Sequence, residues 1–249
     1  LDWLAAEFME PTSPCQEGQG KWSMKKLHRL LVTSSAYRME SSDDAACAEK
    51  DTDNRLVWRM NPRRMEAEIV RDSVLAVAGS LDRTFGGPEL DHNLGLTTQR
   101  RSIYYRHAAE KMMEFMDLFD GANVTECYQR TVSIVPQQAL AMANSTLVLA
   151  QARLLTRKIT KKLGETATPS DFIRAGFEHV LGRVPTDQEQ ALCGEFLTKQ
   201  AQRLADPKGL SRFTGGQDPS VAPGATPDLR ARENLIHVLL NHNEFVTIR

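Results

Sequence analysis

The densest group of chemistry-bearing side chains is Arg55, Arg59, Arg63, Arg64, Glu66, Glu68, Arg71 and Asp72. Two readings fit it. In the first, these residues lie on a helix whose charged face serves solvation and local pairing. Arg64 and Glu68 stand four apart, and Glu68 and Arg71 three apart, the spacings at which helical side chains meet. In the second, the carboxylates are paired for acid–base work. Glu66 and Glu68 diverge by about 200° around a helix, so they make no such pair. Glu68 and Asp72 share a face, but an arginine beside each would keep it ionised and unfit as a general acid.

A second group, Arg100, Arg101, Tyr104, Tyr105, Arg106 and His107, interleaves bases with aromatics. Arginine forks onto sulfate or carboxylate and tyrosine stacks, so the group could hold an anion or a sugar. The alternative is a strand with Ile103 and Tyr105 facing in and Tyr104 and Arg106 facing out. Arg153, Arg157, Lys158, Lys161 and Lys162 read as a solvated helical face near a helix C-terminus. The six histidines form no H-E-x-x-H. His237 and His242 would point about 140° apart on one helix, so no metal site is expected. Cys15, Cys47, Cys127 and Cys193 make no C-x-x-C and no C-x-x-C-H. Zinc is therefore disfavoured, while a Cys15–Cys47 disulfide is geometrically open. No nucleophile elbow, phosphate loop or dinucleotide glycine motif occurs.

The elements that position these residues are mostly helical. With 249 residues, 41% hydrophobic and 25% charged, the chain can bury a core of ordinary size. Its 31 Lys and Arg nearly balance 32 Asp and Glu, which argues against nucleic acid as a partner. No apolar run of about 18 residues exists, so no membrane span is expected. The opening Leu1-Asp2-Trp3-Leu4 already lies in a helical pattern, has no starting Met and lacks a basic n-region. The chain is expected to be an N-terminally truncated fragment of a larger protein.

Helices are expected over residues 1–9 and after the Ser23 cap, where Met24, Leu27, Leu30, Leu31 and Tyr37 give an apolar stripe. Residues 41–53 read as a loop. Asn61-Pro62 has the form of a cap with proline at the first helical position, and Gly79 of a helix stop. Residues 102–106 and 131–135 are the strand candidates. Pro136 opens a helix, and helical pattern continues to Leu163. Thr168 and Thr186 begin two capping boxes. Residues 206–227 hold four Gly and four Pro and read as a mobile loop before a last helix over 228–241 with Leu235, Ile236, Leu239 and Leu240 buried. The expected fold is mainly α: one multi-helix domain over 1–249, with at most a small two-stranded β element.

Several blocks resemble one family in order. They include Leu1-Asp2-Trp3-Leu4-Ala5, Trp22-Ser23-Met24-Lys25-Lys26-Leu27-His28-Arg29-Leu30 and Asn54-Arg55-Leu56-Val57-Trp58-Arg59-Met60-Asn61. Next come Arg63-Arg64-Met65-Glu66-Ala67-Glu68, Arg71-Asp72, Arg101-Ser102-Ile103-Tyr104, Cys127 and Arg130. Val135-Pro136-Gln137-Gln138-Ala139-Leu140 and Leu239-Leu240-Asn241-His242-Asn243-Glu244-Phe245 close the set. Together they resemble the planctomycete-specific C-terminal domain of unknown function found in planctomycete cytochrome-c-like proteins.

The resemblance implies an exported protein, periplasmic or otherwise extracytoplasmic, with a preceding domain on the same polypeptide. It implies no cofactor in this chain, with haem c carried in an upstream domain. It supplies no catalytic residue. The expected function is an accessory or interaction module of a cytochrome-c-linked protein, docking the preceding domain or a redox partner. The alternative is part of an enzyme or binding module acting on anionic polysaccharides. The candidate anion- or partner-binding residues are Arg63, Arg64, Glu66, Glu68, Arg71, Asp72, Arg101, Tyr104 and Arg106.

Overall fold

The computed structural model of the chain describes residues 1–12, 20–42, 44–126, 130, 133–164, 166–206, 209–210 and 218–248. It is mainly α. Ten α-helices occur among the described residues, with one two-stranded sheet that pairs β1 (Arg63–Arg64) with β2 (Thr247–Ile248). None of the described helices is long and apolar enough to cross a membrane. The chain divides into two compact units, residues 1–63 and residues 64–248.

The first unit carries α1 (Asp2–Met9), α2 (Met24–Thr33) and α3 (Ala45–Lys50). Ser23 caps α2 by accepting from the Lys26 amide. The expected stripe on α2 buries none of its residues fully, and Tyr37 lies beyond the helix end. Phe8 packs edge-on to Trp22 with centroids 5.2 Å apart. The loop expected over 41–53 contains α3, started by Asp44 accepting from the Cys47 amide at 2.9 Å. The short run of small residues hides a helix that its aspartate cap makes possible.

The helix start expected at Asn61-Pro62 is not formed; α4 begins at Ala67. Asn61 is engaged elsewhere. Asn54, at φ 54, donates from Nδ2 to the Arg59 carbonyl and to Asn61 Oδ1, and its own Oδ1 accepts from the Trp58 amide. The side chain that would cap a helix therefore closes a loop.

The second unit holds α4 (Ala67–Ala78), α5 (Glu114–Leu118), α6 (Pro136–Asn144), α7 (Thr146–Leu163), α8 (Pro169–Val180), α9 (Asp187–Ala205) and α10 (Pro227–Leu240). Helix α10 packs on α7, α8 and α9, and α7 on α4. Val70, Val74, Leu155, Ile159, Phe172, Ile173, Ile236 and Leu240 fill the core. Gly79, at φ 80, ends α4 in the left-handed conformation that glycine tolerates best. Both capping boxes form, Thr168 with Asp171 and Thr186 with Glu189. The last helix buries Leu235, Ile236, Leu239 and Leu240 as its spacing requires.

No strand forms over 102–106 or over 133–135. Residues 102–104 form a 3-10 turn, with Ile103 exposed and Tyr105 buried. Thr131 and Val132 lie outside the described residues, and 133–135 carries no regular structure; Ser133 is instead held by Asp120 through its amide and hydroxyl at 2.7 Å each. Of the loop expected over 206–227, residues 207–208 and 211–217 lie outside the described set. Its far end is held. Arg153 donates to the Val221 carbonyl, Arg157 to the Ala222 carbonyl, and the Gly224 amide to Glu233 at 3.0 Å. Two members of the basic tract on α7 thus clamp a loop rather than face solvent alone.

Arg71 departs most from its sequence reading. On α4 it is fully buried; Asp72 Oδ1 stands 3.6 Å from its Nη1, and no carboxylate among the described residues accepts a hydrogen bond from it. Nε donates to the Gly95 carbonyl at 2.9 Å. Nη1 reaches the Arg100 carbonyl at 2.9 Å and Ser102 Oγ at 3.3 Å. Nη2 reaches the Thr98 carbonyl at 2.6 Å and Tyr105 Oη at 3.0 Å. All five guanidinium donor directions are of the kind this side chain alone supplies. Burial lowers its pKa, opposed by the neighbouring Tyr105 and Asp72.

A second arginine joins three elements near the surface. Arg183 forks onto Glu189 at 2.6 and 2.8 Å and onto Glu244 at 2.8 and 2.9 Å. Its hydrogen bonds, with those of Thr186, hold Glu189 down at about 2 against a modest cost of burial.

Two predictions follow from these arginines. Arg71→Leu leaves a ring of buried carbonyls without donors and is expected to cost at least about 3 kcal/mol. Arg71→Lys, with fewer donors in a different geometry, recovers only part of that loss; urea denaturation measures both. Glu189 has a depressed folded-state pKa, so its contribution is present above its usual 4.5 and is lost as pH falls toward about 2. Glu189→Gln, which keeps the capping-box reach, is expected to flatten that part of the decline in the urea midpoint between about pH 5 and pH 2.

Candidate functional site

The segment wrapped around Arg71 forms one wall of a cleft of about 710 Å³, and α4 forms another. Glu66 stands at the N-cap position of α4, and Glu68 and Asp72 follow on the helix. Arg101 and Arg106 enter from the two sides of the 3-10 turn. Arg83, His107 and Arg130 complete the charged lining, and Ile69, Ala76, Met112, Met113 and Met116 supply its apolar part.

Most of the carboxylates are already engaged. Arg130 binds Glu68 through both Nη atoms, at 2.7 and 3.1 Å, and lies 4.0 Å from Glu66. Burial pushes the Glu68 pKa up. The Arg130 hydrogen bond, a backbone hydrogen bond and the charges of Arg130 and His107 outweigh it, and the net direction is down. A carboxylate held ionised in this way is a poor proton donor. Asp72 accepts from the Ser102 amide at 2.8 Å and Oγ at 2.7 Å, so it builds the cleft wall.

The cations are less fully used. The Arg101–Asp72 and Arg106–Glu89 pairs are 3.7 Å apart, and both arginines keep nearly half of their side chains exposed. At that separation an ion pair leaves N–H donors open. Arg83 makes no ion pair among the described residues. The cleft therefore offers guanidinium forks beside a flexible, methionine-lined apolar surface, a combination suited to an acidic group carried on an apolar body.

Of the nine residues singled out from sequence, Glu66, Glu68, Asp72, Arg101 and Arg106 line this cleft. Arg71 does not; its donors are spent inside. Tyr104 does not either. Its hydroxyl accepts from the Gly86 amide at 3.0 Å, and the Arg100 guanidinium lies 4.1 Å over its ring. Arg64 lines a different cleft. Arg63 belongs to the first unit. The expected helical pairs of Arg64 and Arg71 with Glu68 are absent, because Arg64 sits on β1 and Arg71 points into the core.

Arg83, Arg130 and the three methionines were not singled out as site residues. Arg130 sits 62 positions from Glu68, beyond any local spacing rule, and its one signal was its place among the blocks that carry the family resemblance. No group of three His, Cys, Asp or Glu converges among the described residues. Cys47 and Cys193 are free thiols; Cys15 and Cys127 lie outside the described residues.

A family model described as PSD1, protein of unknown function (DUF1553), matches residues 1–197. No curated protein and no solved structure matches the chain. The lining of the cleft gives one direct test: in Arg130→Gln the Glu68 carboxyl loses its main stabilising partner, and its pKa is expected to rise, as a carboxyl-carbon NMR titration would register; an unchanged value would count against the pairing.

Proposed function

The chain belongs to the PSD1 family of unknown function, DUF1553, and from that premise we propose that it is an accessory interaction module whose α4 cleft receives an acidic segment of a partner polypeptide. The observation that carries this reading is the state of the charges in the cleft. The carboxylates are committed to Arg130 and Ser102, while Arg101, Arg106 and Arg83 keep donors open beside an apolar floor. An acidic side chain of the partner would meet the arginine forks, and its apolar neighbours would rest on Met112, Met113 and Met116.

The wider setting rests on the family resemblance: the module serves an exported, cytochrome-c-linked protein, and its partner is the preceding domain or a redox protein. A second reading, binding of an anionic polysaccharide, is supported by the convergence of Arg101 and Arg106 in a concave site. The ring best suited to stack on a sugar, Tyr104, lies outside the cleft and under Arg100. That favours the peptide over the sugar.

Fluorescence anisotropy separates the two. A labelled peptide alternating Glu with Leu is expected to bind the chain, to weaken as salt rises, and to weaken about tenfold or more in Arg101→Gln/Arg106→Gln. Binding of a sulfated oligosaccharide with no binding of the peptide would move the second reading to the front. Binding of neither would sink both.

A further inference from the structure

Three of the blocks that carry the family resemblance meet away from the α4 cleft. Arg64, the start of α6 and the turn after α10 line a second cleft of about 350 Å³, within the size range of small ligand sites. Its apolar walls are Phe119, Met142 and Val246, all buried, and Ile134 stands at its edge almost fully exposed. Asn241 and Asn243 contribute amides.

Two polar side chains in this cleft keep hydrogen-bonding capacity unused among the described residues. Gln138 is 1% exposed, and its Nε2 makes only long contacts, 3.4 to 3.5 Å, to Asp120 and Ser133. Among the described residues its Oε1 meets no hydrogen-bond donor. A buried amide oxygen in that state is uncommon in folded proteins and calls for a donor. Arg64 is half-buried, and its guanidinium makes no hydrogen bond or ion pair among the described residues. The same cleft is lined by the N-terminus of α6, a nine-residue helix that begins with Pro136 and has no side-chain cap. Uncapped helix starts favour negative charge.

A ligand that satisfies all three carries an anion, an N–H donor and an apolar body close together. We infer that this cleft binds the C-terminal residue of a partner polypeptide. The terminal carboxylate lies between Arg64 and the α6 N-terminus, the last backbone N–H donates to Gln138 Oε1, and the last side chain rests on Phe119, Met142 and Val246. This is carboxylate capture of the kind that backbone and arginine together achieve elsewhere. It uses none of the α4 cleft, so either assignment can fail alone.

The test is an NMR titration of the whole ¹⁵N-labelled chain with acetyl-dipeptides ending in Ala, Leu or Phe, each as the free acid and as the C-terminal carboxamide. At least one acid is expected to shift amides of α6 and of 241–246, and to bind about tenfold more tightly than its carboxamide. Arg64→Gln, a change at a half-exposed site, is expected to remove that preference. Gln138→Met, close in shape but without the acceptor, is expected to weaken acid and carboxamide alike. The inference is overturned if acid and carboxamide bind equally, if no dipeptide shifts these amides, or if hexanoate binds as tightly as the dipeptide acids, which would leave the N–H donor without a role.

Discussion

The burial of one positive charge organises the second unit. Arg71 projects from the middle of α4 into the core, where an unpaired guanidinium would be prohibitively costly. Its donors are met mainly by carbonyls, from Gly95, Thr98 and Arg100, with two hydroxyls closing the set. Main-chain carbonyls can converge only if the chain curls around them. Residues 95–105 therefore form a collar instead of a strand. The outer surface of that collar, with Asp72 holding Ser102 one residue along the helix, is the wall of the α4 cleft. Core and site are two sides of one hydrogen-bonded arrangement.

Charge on this chain is settled mostly by local reckoning, in keeping with its near-neutral balance. Arg183 answers two carboxylates, Arg130 engages Glu68 and Glu66, and Arg153 and Arg157 reach both Glu233 and loop carbonyls. Two clefts hold arginines with donors left open, Arg101, Arg106 and Arg83 in one and Arg64 in the other. Both are equipped for acidic groups. The methionines of the first cleft add an adaptable surface.

What the sequence made legible follows the range of the interactions involved. The capping boxes at Thr168 and Thr186, the stop at Gly79 and the stripe of α10 depend on residues within one helical turn, and each is found where its pattern lies. The cap at Asn61 misled, since Asn54 captures that side chain from seven positions away. Residues 102–106 have strand-like composition, but Arg71 claims their neighbours' carbonyls. In the same way, Glu66, Glu68, Asp72, Arg101 and Arg106 were readable as a charged set because each lies within a short block. Which of them would face a cavity was settled by Arg71 and Arg130, whose partners are 24 to 62 residues distant.

The collar around Arg71 also sets an order of events during synthesis. Its acceptors run from Gly95 to Tyr105, 24 to 34 positions further along the chain. As α4 leaves the ribosome, the guanidinium has nothing to receive it and must stay in water. The helix cannot settle into the core until its own successor segment has emerged and curled back, which carries the entropic cost of closing a loop of that length. The nascent chain therefore passes through an interval in which α4 holds its charged side outward, and the α4 cleft exists only after that side has turned in.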